Sequence, residues 1–188
     1  MLVSRLAPTA VFVCCLFAAS AVSRGADAVP LQGGTANLSP QNTKIQFICA
    51  HVGARPDPRK GGFSKFTGKA QVEGNALKSL TVEIDTASIG TEFEKLTNHL
   101  KSPDFFEVRK YPTAKFESTK IDAGTITGKL TLHGVTKEIT FPAKVEVNDA
   151  GLTVNAEFTL DRSEFGMTYD PKKVENKVSM TVVVGERT

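Results

Sequence analysis

A chain of 188 residues, 40% of them hydrophobic and with a net charge of +3, is long enough for one domain with a sizeable core. Its mixed, nearly balanced charge excludes the basic stripe expected of a nucleic-acid-binding surface. Its three cysteines, two of them adjacent in an apolar run, exclude a disulfide framework.

Residues 1–28 read as a signal peptide. Arg5 gives a short basic start, Ala10 to Val22 is an unbroken run of apolar and small residues, and Ala26-Asp27-Ala28 has the form of a cleavage site. That run falls short of the ~20 apolar residues of a spanning helix, which favours export, to the periplasm or outside the cell, over an uncleaved anchor. Cys14 and Cys15 lack the preceding small residue expected of a lipidated cysteine. Without this segment the charge falls to +2, and Cys49 is the remaining thiol. Among apolar neighbours it reads as buried and inert.

Residues 29–43 form a lead-in with at most one edge strand, and the main domain is expected over 44–186. Ile45, Phe47, Cys49 and His51 share one face of a strand. Val52 to Gly62, with two prolines and three glycines, reads as a loop. Phe66, Gly68, Ala70 and Val72 then point inward, with Phe63 out of phase, so a bulge or bend is expected near Ser64. Leu80, Val82 and Ile84 continue the alternation. Thr91-Glu92-Phe93-Glu94 has capping-box form, and Phe93, Leu96 and Leu100 follow at helical spacing until Pro103.

Phe105 and Phe106 come next, before a turn at Tyr111-Pro112. This stretch interrupts an otherwise all-β pattern; it is either a plug sealing one end or a wall of a ligand cavity. Ala114, Phe116 and Ser118 open the second half. The face of Ile126, Gly128, Leu130 and Leu132 follows, then that of Ile139, Phe141, Ala143, Val145 and Val147. Leu152 to Leu160 and Val178 to Val184 end the series, with hairpin turns at Asn148–Gly151 and at Gly134.

The sum is an all-β domain of about eight long strands, one helix and a helical or loop cap. A sandwich and a closed barrel both satisfy one apolar face per strand; long strands on short connections favour an antiparallel barrel. Lys and Glu on the other face exclude a lipid-facing barrel wall. Small inward residues (Gly68, Ala70, Ala114, Ser118, Gly128, Ala143, Ala156) between phenylalanines either leave a cavity or represent ordinary small–large packing. With no charge on the inner strand faces, an occupant would be apolar.

Candidate chemistry is sparse. His51, His99 and His133 have no metal-ligand spacing, and no nucleophile elbow or catalytic triad order is recognisable. Cys49 and His51, two apart on one strand face, could bring a thiol near an imidazole. Asp161-Arg162-Ser163-Glu164 reads as a charged strand end, where Arg162 either forms an internal or rim salt bridge or, as is more common for such residues, is solvated.

Several blocks taken together resemble the YceI family of exported, lipocalin-like lipid-binding proteins. They include Gly62-Phe63-Ser64-Lys65-Phe66-x-Gly68, His99-Leu100-Lys101-Ser102-x-Asp104-Phe105-Phe106, Gly128-Lys129-Leu130-Thr131-Leu132-x-Gly134 and Arg162-Ser163-x-Phe165-Gly166. The blocks run in the family's order over nearly all of Lys44 to Val184. The resemblance implies a barrel whose apolar lumen holds a polyisoprenoid, an isoprenoid quinone-like molecule or another long-chain lipid, often in a homodimer. It implies neither cofactor nor metal. The departures are a lead-in at Ala36–Ser39 without the family's aromatic and Asp, a longer and more basic loop at Ala54–Lys60, and Thr97-Asn98 in place of Arg-Asp. They bear on the pocket mouth rather than the lumen.

The expectation is therefore a non-enzymatic, exported lipid-binding protein. Phe47, Phe66, Phe116, Phe141, Phe158 and Met180 would line the lipid tail, with Leu96, Leu100, Phe105 and Phe106 closing over it. Its rivals are an enzyme acting on such a lipid through His51 or Cys49, and an interaction barrel with a filled core.

Overall fold

The structure is a computed structural model that describes residues 28–53 and 57–185. The expected signal peptide lies, but for Ala28, outside these residues.

Among the described residues, twelve strands fall into two six-stranded antiparallel sheets. One contains β1 (Thr35–Leu38), β4 (Phe66–Glu73), β5 (Ala76–Asp85), β7 (Thr113–Asp122), β8 (Thr125–Leu132) and β9 (Val135–Pro142), in that spatial order. The other runs β10 (Lys144–Asn148), β11 (Gly151–Asp161), β12 (Lys177–Val184), β2 (Thr43–Cys49), β3 (Arg59–Phe63) and β6 (Ile89–Thr91). The expected eight account for the longer strands; β1, β3, β6 and β10 are short. Residues 139–147, expected as one strand, break at Ala143. Pro142 cannot extend the ladder as a donor, and the chain passes there from the first sheet to the second.

The loop expected over Val52 to Gly62 is corrected at its end, where Arg59–Phe63 is a strand. Its glycines make this possible rather than prevent it. Gly61 pairs with Phe47 in the β2–β3 ladder, and a Cβ on Gly61 would stand 2.3 Å from the Phe47 ring. The expected bend does occur: β3 stops at Phe63 and β4 starts at Phe66. At this corner the Asp85 amide donates to the Lys65 carbonyl (3.0 Å) and the Lys65 amide to Ser88 Oγ (3.0 Å), tying the β3–β4 and β5–β6 crossings together.

The turns fold as their residues direct. His133 (φ 51°) and Gly134 (φ 76°) form the two-residue turn between β8 and β9, both in the left-handed region that a tight hairpin requires. The β10–β11 hairpin turns through Asp149 and Ala150, with the Ala150 amide donating to Asn148 Oδ1 at 2.9 Å.

Helix α1 (Glu94–Lys101) forms, but not through a capping box. Its N-cap is Phe93, which makes no side-chain cap, and Thr91 belongs to β6. The Thr91 hydroxyl instead lies 2.9 Å from Thr97 Oγ1, which also accepts from the Thr91 amide at 3.0 Å, fastening the helix to the strand. Phe93 is consequently exposed, with the Arg59 guanidinium 4.7 Å from its ring centroid. Among the described residues no helix is long and apolar enough to cross a membrane.

Two apolar clusters occupy the interior. The larger joins Leu38, Ala70, Val72 and Leu80 of one sheet to Leu152, Val154, Ala156 and Val184 of the other. The smaller gathers Phe47, Ile89, Leu100 and Phe105 under the helix.

Candidate functional site

Alternation along the strands turns two sets of side chains toward the space between the sheets, and they do not fill it. Two chambers remain there, of about 120 Å³ and 110 Å³, with no polar surface facing either. The outer chamber lies under α1 and the segment after it. The inner one is bounded by both sheets, and the two share Ile45, Ile84, Leu130, Leu160 and Met180 in their walls.

The residues expected to line a lipid tail divide between them. Phe66, Phe116, Phe141 and Phe158 border the inner chamber, where the Phe141 and Phe158 rings stack at 4.4 Å between centroids. Phe47, Leu100, Phe105 and Phe106 border the outer chamber, and Met180 borders both. Leu96 borders neither chamber; it lines a recess beside the helix and packs against the smaller cluster. Phe105 and Phe106 thus belong to the wall of a cavity. Phe105 is buried, and the Phe106 ring meets Phe63 edge-on at 5.9 Å.

Side-chain size works differently from the sequence expectation. A Cβ on Gly128 would lie 2.5 Å from the Phe116 ring, and one on Gly68 3.2 Å from both Leu38 Cβ and Val82 Cγ2. Neighbouring side chains already occupy the space these glycines leave. Ser118 is spent on the backbone, its Oγ accepting from the Leu80 amide (2.9 Å) where the β7–β8 register shifts. Of the small inward residues, Ala114 and Ala156 border chambers.

Arg162 overturns the reading of a solvated strand end. It is 4% exposed, follows β11 in a short 3₁₀ turn, and borders the outer chamber. No carboxylate pairs with it among the described ion pairs. Its Nε donates to the Glu175 carbonyl (3.0 Å), Nη1 to Met167 (2.7 Å), and Nη2 to Tyr169 (2.7 Å) and Val174 (3.0 Å). The guanidinium clasps the whole 167–175 loop and stands 5.7 Å from the Phe105 ring centroid. Burial pushes its pKa down, yet a guanidinium stays charged. The Asp161 carboxylate caps the turn, accepting from the Ser163 hydroxyl and amide, and these bonds hold its pKa below the ordinary value.

His133 locks the segment after the helix to that turn. Its Nδ1 lies 3.1 Å from the Phe165 carbonyl, Nε2 lies 3.8 Å from Glu107 Oε2, and its ring packs on Tyr111 at 4.4 Å. Neither Arg162 nor His133 could be placed by periodicity, because each acts from a turn on backbone carbonyls, Arg162 on those of the loop that follows it and His133 on that of Phe165. The Arg162-Ser163-x-Phe165-Gly166 block was the available signal.

Cys49 is half-buried rather than buried. Its thiol approaches the carbonyls of Glu175 (3.7 Å) and Ala50 (3.9 Å), and burial raises its pKa above the ordinary value, so it stays protonated at neutral pH. It shares the recess beside the helix with His51. Among the described residues no three His, Cys, Asp or Glu side chains gather as a metal site.

Comparison with known proteins converges on one family. The model of the YceI-like domain matches residues 37–185. A UPF0312 protein of Pseudomonas paraeruginosa is 34% identical over 156 residues, covering 77% of this chain and 81% of its own length. Burkholderia cenocepacia BcnA superposes with a TM-score of 0.66 at 23% identity, covering 76% of this chain and 94% of BcnA. A polyisoprenoid binding domain from Saccharophagus degradans, implicated in plant cell wall breakdown, superposes with a TM-score of 0.64 at 14% identity, covering 80% and 96%.

Proposed function

The chain belongs to the YceI-like domain family, a family of binding proteins rather than enzymes, and from that premise we propose that it is an exported carrier or store of a long-chain lipid. The two sheets act as a lipocalin-like barrel, and an isoprenoid-like or comparable hydrocarbon tail lies in the paired chambers. The observation that carries this reading is the pair itself: adjoining cavities with common walls and no polar surface.

An apolar cavity between two sheets has a use only for an apolar guest. Each methylene buried there contributes ~0.8 kcal/mol, so a tail can bind firmly without a directed polar contact. The chambers are comparable in size to a cavity of roughly 150 Å³ that takes up one benzene ring. A long tail must therefore thread both and displace side chains at the junction, where Met180, unbranched and adaptable, stands. The shared fold with a polyisoprenoid binding domain supports the same class of guest.

The rival readings have less behind them. Lipid chemistry through Cys49 needs a thiolate, and burial favours the thiol. A filled-core barrel does not account for the two chambers. The test is to purify the protein from its native compartment, extract it with organic solvent and analyse the intact complex by native mass spectrometry. Recovery of a long-chain lipid is expected. Protein that carries none, and that fails to take up an apolar fluorescent probe, sinks the proposal.

A further inference from the structure

We propose that the hydrocarbon guest enters and leaves sideways, through a slit between β9 and β11 whose gate is Leu160. The inference rests on the lipid reading above and adds the route by which a tail reaches the chambers.

The slit follows from where the ladders stop. β11 pairs with β12 from Val154 to Asp161, but with β10 only from Gly151 to Asn155. β9 pairs with β8 along its whole length and has no ladder on its other side. Residues 156–161 of β11 and the free edge of β9 therefore face one another with no backbone hydrogen bond between them among the described residues. Burial changes at the same place. Leu152, Val154 and Ala156 are buried along the inward row of β11, whereas Phe158 and Leu160, next on that row, are half-buried. On β9, Phe141 is buried and Ile139 half-buried.

Outside the slit lies a recess of about 370 Å³. Ile139, Phe158 and Leu160 stand both in its wall and in that of the inner chamber, while Leu160 and Phe165 stand in its wall and in that of the outer one. Leu160 thus borders all three spaces, at the junction the two chambers share. A tail that displaces it arrives between the chambers and can extend into either.

Little holds the slit shut. Lys137, opposite Leu130 in the β8–β9 ladder, reaches across to Glu164 in the turn after β11, with Nζ 3.5 Å from Oε2, and both side chains are exposed. Exposed pairs of this sort contribute little, and opening here breaks side-chain contacts but no strand ladder. Other ways in are better closed. The β3–β4 and β5–β6 crossings are tied by the backbone bonds among Lys65, Asp85 and Ser88. Beside the helix, Phe47, Leu100 and Phe105 are buried and form, with Cys49, the partition between the outer chamber and the recess there.

The test is kinetic. The probe is the methyl ester of cis-parinaric acid, a fluorescent long chain without charge, so that altered surface charge does not steer it. Stopped-flow mixing with delipidated protein gives the association rate, and displacement by excess methyl oleate gives the dissociation rate. Lys137 and Glu164 border neither chamber, so a change there does not act through the lining. Lys137→Glu sets two carboxylates across the slit and is expected to raise both rates together, roughly threefold at low salt, with Kd nearly unchanged. The exchanged pair Lys137→Glu/Glu164→Lys is expected to return both rates to the wild-type values. Thr140→Trp/Thr159→Trp lays two rings over the slit from exposed positions in the recess and is expected to slow both rates roughly tenfold. Circular dichroism confirms that each variant is folded. If either the Lys137→Glu or the double-Trp variant leaves both rates within about twofold of wild type, the slit is not the route and the lipid reading stands. A change in Kd carried by dissociation alone would place the effect in the chambers and refute the gate equally. If the wild type binds no probe, the lipid reading falls with it.

Discussion

Replacing Arg162 with Met keeps much of the apolar stem and removes the guanidinium that holds the 167–175 loop. Four carbonyls then lose their donors. The bond to Met167 is fully buried, and leaving its carbonyl unpaired costs about 1–3 kcal/mol. The other three are partly exposed and recruit water, at roughly 0.5–1.5 kcal/mol each. Against this, the variant no longer desolvates a cation. The net expectation is a loss of about 3 kcal/mol, or roughly 6–12 °C in Tm for a domain of this size.

Urea titration and calorimetry measure the loss, and limited proteolysis locates it: cleavage within 167–175 is expected to accelerate first. Arg162→Lys, with three donors on a flexible stem, is expected to recover less than half. It also keeps the test open should the Met variant fail to fold. An Arg162→Met protein within about 1 kcal/mol of wild type, with an unchanged cleavage pattern, would refute the clasp.

Ala114→Leu and Ala156→Leu each project a larger side chain into one chamber. Each is expected to displace the equivalent of three or so methylenes of tail, lowering long-chain affinity roughly 30- to 100-fold by fluorescence titration. Gly61→Ala forces a Cβ against the Phe47 ring and is expected to cost about 1–3 kcal/mol in urea unfolding, with Phe47→Leu relieving part of it. Cys49 is expected to react slowly with iodoacetamide at pH 7. Its raised pKa keeps the thiol protonated, so the rate should climb at a higher pH than for a free thiol; rapid labelling at neutral pH would show the thiolate to be stabilised instead.

Much of the fold was legible because a strand with one buried face writes its register into the sequence. The faces of Phe66–Val72, Leu80–Ile84 and Leu152–Leu160 all turn as their alternation indicates. What escaped depended on partners across the fold. Arg59–Phe63 looks like a loop until Phe47 is seen lying over Gly61, and the capping box at Thr91 fails because Thr91 belongs to a strand and its hydroxyl bonds Thr97. The lining phenylalanines Phe47, Phe66, Phe116, Phe141 and Phe158 were legible because they lie in phase on strands. Phe63, which also borders the outer chamber, was not, because it precedes the bend that moves the chain between sheets. Gly68 and Gly128 misled: smallness in the sequence marks either a void or a close neighbour, and here it marks neighbours. Arg162 escaped because carbonyls, unlike carboxylates, leave no trace in composition.

The central claim is that paired apolar chambers exist to hold a hydrocarbon tail. The measurement that tests it most directly is a calorimetric titration of delipidated protein with prenyl alcohols of increasing length. Affinity should rise steeply with each added isoprene unit, by up to ~0.8 kcal/mol per buried carbon, until both chambers are filled, and then level off. Ala114→Leu and Ala156→Leu should each bring the plateau to a shorter chain. Affinity that does not depend on chain length, or no binding at any length, would contradict the account.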